Sequence, residues 1–152
     1  MRCLGLDVGK STIGVAMSDE LGITAQGMET IKRHNLNSDI ARLVHYVETY
    51  DIGTFVVGYP KNMNGSIGEQ ALISEDFAEI LKEYFTGKKV VLWDERLTTM
   101  AAHKVLIQAD VKRKNRKKVV DKVAAVLILQ CYLDKLSMLP DLSTILKGGS
   151  TS

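Results

Sequence analysis

At 152 residues, 45% hydrophobic and 25% charged with a net charge of only +2, the chain has the length and balance of one globular domain, not of a disordered, fibrous or bilayer-spanning protein. No apolar run approaches the roughly 20 residues a membrane crossing needs, and an acid arrives at position 7, before any signal-peptide core. A cytoplasmic protein is therefore expected. Cys3 and Cys131 are far apart and His34, His45 and His103 lack ligand spacing, which argues against a disulfide framework or a structural zinc site and leaves the cysteines as small buried hydrophobes.

Residues 2–8 and 13–18 flank the turn Gly9-Lys10-Ser11 and predict a β-hairpin whose first strand ends in Asp7. A third strand near 24–31 would complete an antiparallel meander. Asn37 or Ser38 is expected to cap a helix with Ile40, Leu43, Val44 and Val47 on one face. The continuous apolar run Thr54-Phe55-Val56-Val57-Gly58 predicts a buried central strand, followed by a loop over 59–66. A helix is expected over about 67–85 with Phe77, Ile80, Leu81 and Tyr84 inward, then a strand from Lys89 to Trp93 that runs into Asp94-Glu95-Arg96.

Thr98 or Thr99 is expected to cap a third helix reaching about 109, and a last helix covers roughly 119–136. The stretch Val123–Leu129 is apolar on every side, so that helix should lie deep. The whole predicts an α/β fold: a mixed five-stranded sheet, three strands as an antiparallel meander and the others parallel, flanked by helices. One domain over 1–138 and a loose tail over 139–152 are expected.

Three acids stand where these elements begin or end. Asp7 closes the first strand, Glu95 follows the fifth, and Asp121 opens the last helix. In a sheet with parallel strands, ligands collect beyond the carboxyl ends, which favours Asp7 and Glu95 as one site. Carboxylates gathered there suit hard divalent cations, and two Mg²⁺ or Mn²⁺ ions can offset the charge that develops as a phosphodiester is cleaved. Taken alone, Asp121 is equally well a helix-terminal acid favoured by the helix dipole. Between the last two helices, Lys112-Arg113-Lys114-Asn115-Arg116-Lys117-Lys118 packs six cations into seven residues, a solvated loop or a phosphate-binding patch.

Four segments in order resemble the YqgF family, also called RuvX. They are Gly5-Leu6-Asp7-Val8-Gly9-Lys10-Ser11-Thr12-Ile13-Gly14-Val15-Ala16, Val57-Gly58-Tyr59-Pro60 with Asn62-Met63-Asn64-Gly65-Ser66, Asp94-Glu95-Arg96-Leu97-Thr98-Thr99, and Val120-Asp121 through Gln130. The resemblance implies a ribonuclease H-like fold, a bacterial cytoplasmic protein and a nuclease that processes the 5′ end of the 16S ribosomal RNA precursor, with Holliday junction resolution as the alternative. It raises Asp121 to the level of Asp7 and Glu95 as a metal-binding acid. Lys61 and Asn64 stand where the family more commonly has Leu and Asp, which bears on substrate contacts and not on metal.

The resemblance also places the basic segment beside the proposed site, so Lys112, Arg113, Lys114, Arg116, Lys117 and Lys118 become candidate nucleic-acid contacts, with RNA favoured, branched DNA the other substrate and ribosomal precursor particles a possible partner. Lys10 and Arg96 flank the acids and suit either phosphate or an ordinary ion pair. Tyr59 and Trp93 are weighed as base-stacking residues, with core packing the stronger expectation for Trp93. Two other functions compete: the sugar kinase and actin-like ATPase fold, which needs two such domains, and a non-catalytic RNA-binding module. Oligomeric state is not legible.

Overall fold

The computed structural model describes residues 1–97 and 116–138, with side chains at 1–96 and 123–137. Strands β1 (Arg2–Val8), β2 (Thr12–Ser18) and β3 (Ala25–Lys32) are followed by α1 (Leu36–Thr49), β4 (Ile52–Tyr59), α2 (Glu69–Tyr84) and β5 (Lys89–Asp94). A single 3₁₀ turn, Glu95–Leu97, ends β5, and α3 runs from Arg116 to Met138. The expected third helix with Thr98 and Thr99, the cations Lys112, Arg113 and Lys114, and the tail over 139–152 lie outside the described residues.

The sheet order is β3-β2-β1-β4-β5. β1, β2 and β3 are antiparallel neighbours, whereas β4 and β5 run parallel to β1. The meander closes with short turns because antiparallel strands can, and each parallel strand is reached through a helix because it must. The mixed sheet expected from the sequence is present.

Alternation along the strands sorts side chains onto two faces. Leu4, Leu6, Val8, Ile13, Val15, Phe55 and Val57 face α1 and α2, where Leu43, Tyr46, Phe77 and Leu81 complete the larger core. The opposite face carries Ala16, Val56, Val91 and Trp93 and is covered by α3 through Ala125, Ile128, Leu129, Tyr132 and Leu133. Burying Ile128 and Leu129, both at 0% exposure, contributes about 2 kcal/mol each.

Several local expectations shift. The cap of α1 is Asn35, whose Oδ1 accepts from the Ser38 N–H at 2.8 Å, because Asn35 lies one residue before the helical backbone while Asn37 and Ser38 lie inside it. Tyr84 is 61% exposed rather than inward, since it sits at the last turn of α2, past the edge of the sheet. Tyr59 belongs to β4 and is buried, so its ring is not open to stack on a base; its hydroxyl donates to Glu75 Oε1, which raises its pKa to about 12. Helix α3 buries one stripe fully while Val123, Val126 and Leu127 are only half-buried. Cys3 and Cys131 are half-buried, Cys3 packing against the α3 core.

The edge strand β3 is tied to α1 by Glu29. Its carboxylate accepts from Arg42 Nε at 2.9 Å and Nη2 at 2.6 Å, and also from the Tyr46 hydroxyl. The Arg42 hydrogen bonds hold the Glu29 carboxyl below its ordinary pKa. A depressed folded pKa means that this stabilisation is complete above the unfolded value, near 4.3, and is lost as pH falls through the folded value. Glu29→Gln is therefore expected to lower stability by about 1 kcal/mol at pH 7. The gap from wild type in thermal melts should close below about pH 4; a gap that persists there would exclude the ion pair as its cause.

Candidate active site at the carboxyl ends of the central strands

The α3 face of the sheet is built from small residues at its centre. Gly5 is buried where a Cβ would stand 2.7 Å from Leu129 Cβ and 3.0 Å from the Ala125 carbonyl oxygen, so only glycine lets the helix settle on β1 at this depth. Two residues on, on the same face, is Asp7. Its antiparallel partner is Gly14, and one step past the last parallel pair, Leu6 with Val57, its neighbour on β4 is Gly58. Half-buried Asp7 thus stands between two residues that have no side chain.

Gly58 pairs with Trp93 on β5, and Glu95 opens the 3₁₀ turn two residues later. Its carboxylate turns back across the sheet: a Cβ on Gly58 would lie 2.9 Å from Glu95 Oε1 and 2.4 Å from Ile128 Cδ1. Gly58 lies on the strand between β1, which carries Asp7, and β5, which leads to Glu95, and its missing Cβ is the space the glutamate uses. Sequence reasoning misses the role of Gly14 and Gly58, which depends on the register of other strands against the one that carries Asp7.

Asp121 is placed by its backbone alone. Gln130 of α3 reaches the far end of the sheet, accepting from the Ala25 N–H at 2.8 Å and donating to the Ile23 carbonyl at 2.9 Å, while Ala125 and Leu129 rest on Gly5. The helix thus runs toward the Asp7 end of β1 as its numbering decreases. Position 121 is one turn, about 6 Å, beyond Ala125 on the stripe shared with Ile128 and Leu129. Arg116, Lys117 and Lys118 form the first turn of this helix, which starts before the expected residue 119.

Around these acids the cations are engaged. Lys10, in the β1–β2 turn, is ion-paired with Glu69 at the start of α2, both side chains being exposed. Arg96 grips Asp94 with Nε at 3.2 Å and Nη2 at 2.8 Å, and the guanidinium holds the Asp94 carboxyl below the usual carboxylate range. Arg96 Nη1 also lies 3.2 Å from where a Cβ of Gly65 would be, and Gly65 has φ +87°, so the β4–α2 loop closes on the arginine through a glycine that the backbone itself demands. In that loop Asn64 Oδ1 accepts from the Ser66 N–H and hydroxyl, as an aspartate would, while the Lys61 ammonium sits over the Tyr59 ring at 5.3 Å. Trp93 is half-buried edge-on to Tyr132, a core position.

A mixed sheet with an antiparallel meander, crossover helices on one face, and the acids Asp7 near the end of β1 and Glu95 just past β5 fit the ribonuclease H-like class. Solved structures bear out the fold. The T. thermophilus RuvC in complex with Holliday junction substrate aligns with TM-score 0.57 at 12% identity, over 91% of this chain and 97% of that one. The fowlpox virus Holliday junction resolvase aligns with TM-score 0.52 at 18% identity, over 90% and 99%.

The sequence is more specific. Residues 1–135 match the family model described as RuvX, Holliday junction resolvase, and the chain belongs to that family. A Bacillus subtilis (strain 168) protein named "Putative pre-16S rRNA nuclease" is 55% identical over 139 residues, covering 90% of this chain and all of that one. A Geobacillus kaustophilus (strain HTA426) protein of the same name is 57% identical over 136 residues, covering 88% and 98%. The protein is a nuclease, a hydrolase of phosphodiester bonds. No helix among the described residues is long and apolar enough to cross a membrane.

Proposed function

We propose that this nuclease trims the 5′ end of the 16S ribosomal RNA precursor in the cytoplasm, on ribosomal precursor particles, and that Asp7, Glu95 and Asp121 are its metal-binding, catalytic acids. The observation that carries the site is the return of Glu95 Oε1 over Gly58 toward the strand that ends in Asp7. The relatives named for pre-16S rRNA favour the substrate.

The donor set fits Mg²⁺ or Mn²⁺: carboxylate oxygens are the ligands hard divalent ions take, and carboxylates gathered at one site would repel without a cation between them. Among the described residues no three such side chains gather; Asp121, whose side chain lies outside them, is the proposed third. Divalent ions held by these acids would supply charge neutralisation for the scissile phosphate and an activated water. The chain's own part is to hold the acids rigidly, Asp7 within the sheet ladder and Glu95 wedged between Gly58 and α3, with the glycine gaps leaving room for the phosphate.

Lys10, Arg96, Lys112, Arg113, Lys114, Arg116, Lys117 and Lys118 are the proposed phosphate contacts. The Lys10–Glu69 pair, being exposed, is weak enough in water to exchange for a phosphate. Such contacts position a backbone without reading its sequence. Junction cleavage is the second reading, favoured by the description of the matching family model.

Purified protein incubated with pre-16S RNA, with unstructured RNA and with four-way DNA junctions, each with Mn²⁺ and with chelator, separates these. Cleavage near the mature 5′ end of the precursor, abolished by chelator, is expected. Cutting confined to junctions would reject the RNA assignment, and activity that survives the chelator would reject the metal.

A further inference from the structure

On the sheet face opposite α3, a cleft of about 300 Å³ opens between the β1–β2 turn, the β3–α1 connection and α2. Arg33 is its fixed point. Its Nε donates to Asp39 Oδ2 at 2.9 Å, its Nη1 donates to the Gly9 carbonyl at 2.8 Å, and its guanidinium lies 5.4 Å from the centre of the Phe77 ring. Among the described residues Nη2 has no acceptor, on a side chain that is 20% exposed. An arginine held on three sides presents its remaining donor at little entropic cost.

The other donors converge from separate elements. Lys10 and exposed His34 line the cleft, as do Asn35 and Leu36 at the start of α1, where the first N–H groups of a 14-residue helix have no acceptor within it. Asp39 lines it too; it is 1% exposed and its Oδ1 has no hydrogen-bond donor among the described residues. Leu36 and Ile73 supply an apolar wall.

Formal charge alone does not explain this arrangement, since Asp39 offsets Arg33 and Glu69 offsets Lys10. A bare anion would use the donors and leave the apolar wall idle. A nucleotide uses both: a phosphate for the donors and a flat apolar surface for the wall.

We propose that this cleft holds one nucleotide of the nucleic-acid strand away from the bond being cut, its phosphate on Arg33, Lys10 and the start of α1 and its base or sugar against Leu36 and Ile73. The strand itself comes from the nuclease reading above. Gly9, whose carbonyl Arg33 grips, is two residues from Asp7, so a strand that leaves the cleavage centre over the end of β1 meets the cleft next.

The test needs no turnover. Short labelled single-stranded RNA and DNA are titrated with the full chain in chelator, where Lys10→Ala/His34→Ala is expected to weaken binding by about tenfold. The same variant should flatten the salt dependence by about 0.7 in slope for each phosphate it no longer neutralises. Both side chains are exposed, so the melting temperature should hold. Uridine 5′-monophosphate should shift the Leu36 and Ile73 methyl resonances while inorganic phosphate at the same concentration leaves them in place. Unchanged affinity for both strands, or methyl signals that ignore the nucleotide or respond equally to phosphate, would overturn the proposal. A chain that binds here yet cuts no RNA would refute the proposed function and leave this cleft standing.

Discussion

Asp7→Asn is expected to lower cleavage by a factor on the order of 10³ at saturating Mn²⁺, a loss of several kcal/mol of transition-state stabilisation. The substitution keeps the size and polarity of the side chain between Gly14 and Gly58, so the sheet ladder should be untouched. What it removes is one negative charge from a proposed centre that has few to spare. A second measurement separates metal loss from misfolding. Added Mn²⁺ should raise the melting temperature of the wild type through preferential binding to the folded state, and Asp7→Asn should lose most of that rise. Cleavage and metal-induced stabilisation both intact in the variant would remove Asp7 from the site.

Gly58→Ala should damage both stability and activity through a single methyl group. The new Cβ would sit 2.4 Å from Ile128 Cδ1 and 2.9 Å from Glu95 Oε1, so the ends of both side chains must move. Overpacking of this kind costs about 2 kcal/mol, or about 6 °C in a chain of this length. Displacing the glutamate by about 1 Å is expected to cost roughly a hundredfold in rate. The double variant Gly58→Ala/Ile128→Val distinguishes the two effects. Trimming Ile128 removes the nearest clash and should restore part of the melting temperature, yet the carboxylate is still pushed and the rate should stay low. Recovery of rate together with stability would mean that Glu95 was never the sensitive group.

Strands and their order are largely readable because period-two alternation and the apolar runs of β4 and β5 leave little else for those segments to be. Asp7 and Glu95 are readable as well, since an acid that ends a buried strand stands out against its neighbours. The α1 cap is ambiguous in sequence because Asn35, Asn37 and Ser38 all carry suitable oxygens within four residues, and only the backbone decides among them. Tyr59 reads as loop because Gly58 looks like a strand end; in the sheet, β4 runs one residue further to match Asp94 on β5. Composition overestimates the depth of α3, because it counts apolar residues but not which stripe meets the sheet. The glycine gap around the two acids is hidden for a different reason. It depends on register between strands 50 residues apart, and no local pattern reports that. Asp121 lies one turn before Ala125 in α3, and its part in the centre stays with the family resemblance.

The two cores also differ in when they can form. Among the described residues the larger core draws its side chains from residues 4–92, all of them present as soon as β5 has been made. The other face waits for residues 125–133, after a gap of roughly thirty positions. A protein made from its N-terminus therefore exposes Ala16, Val56 and Trp93 to solvent, with Gly5 and Gly58 open to whatever arrives, until the last helix docks. The proposed cutting centre, whose third acid is carried by that helix, would be complete only at that moment.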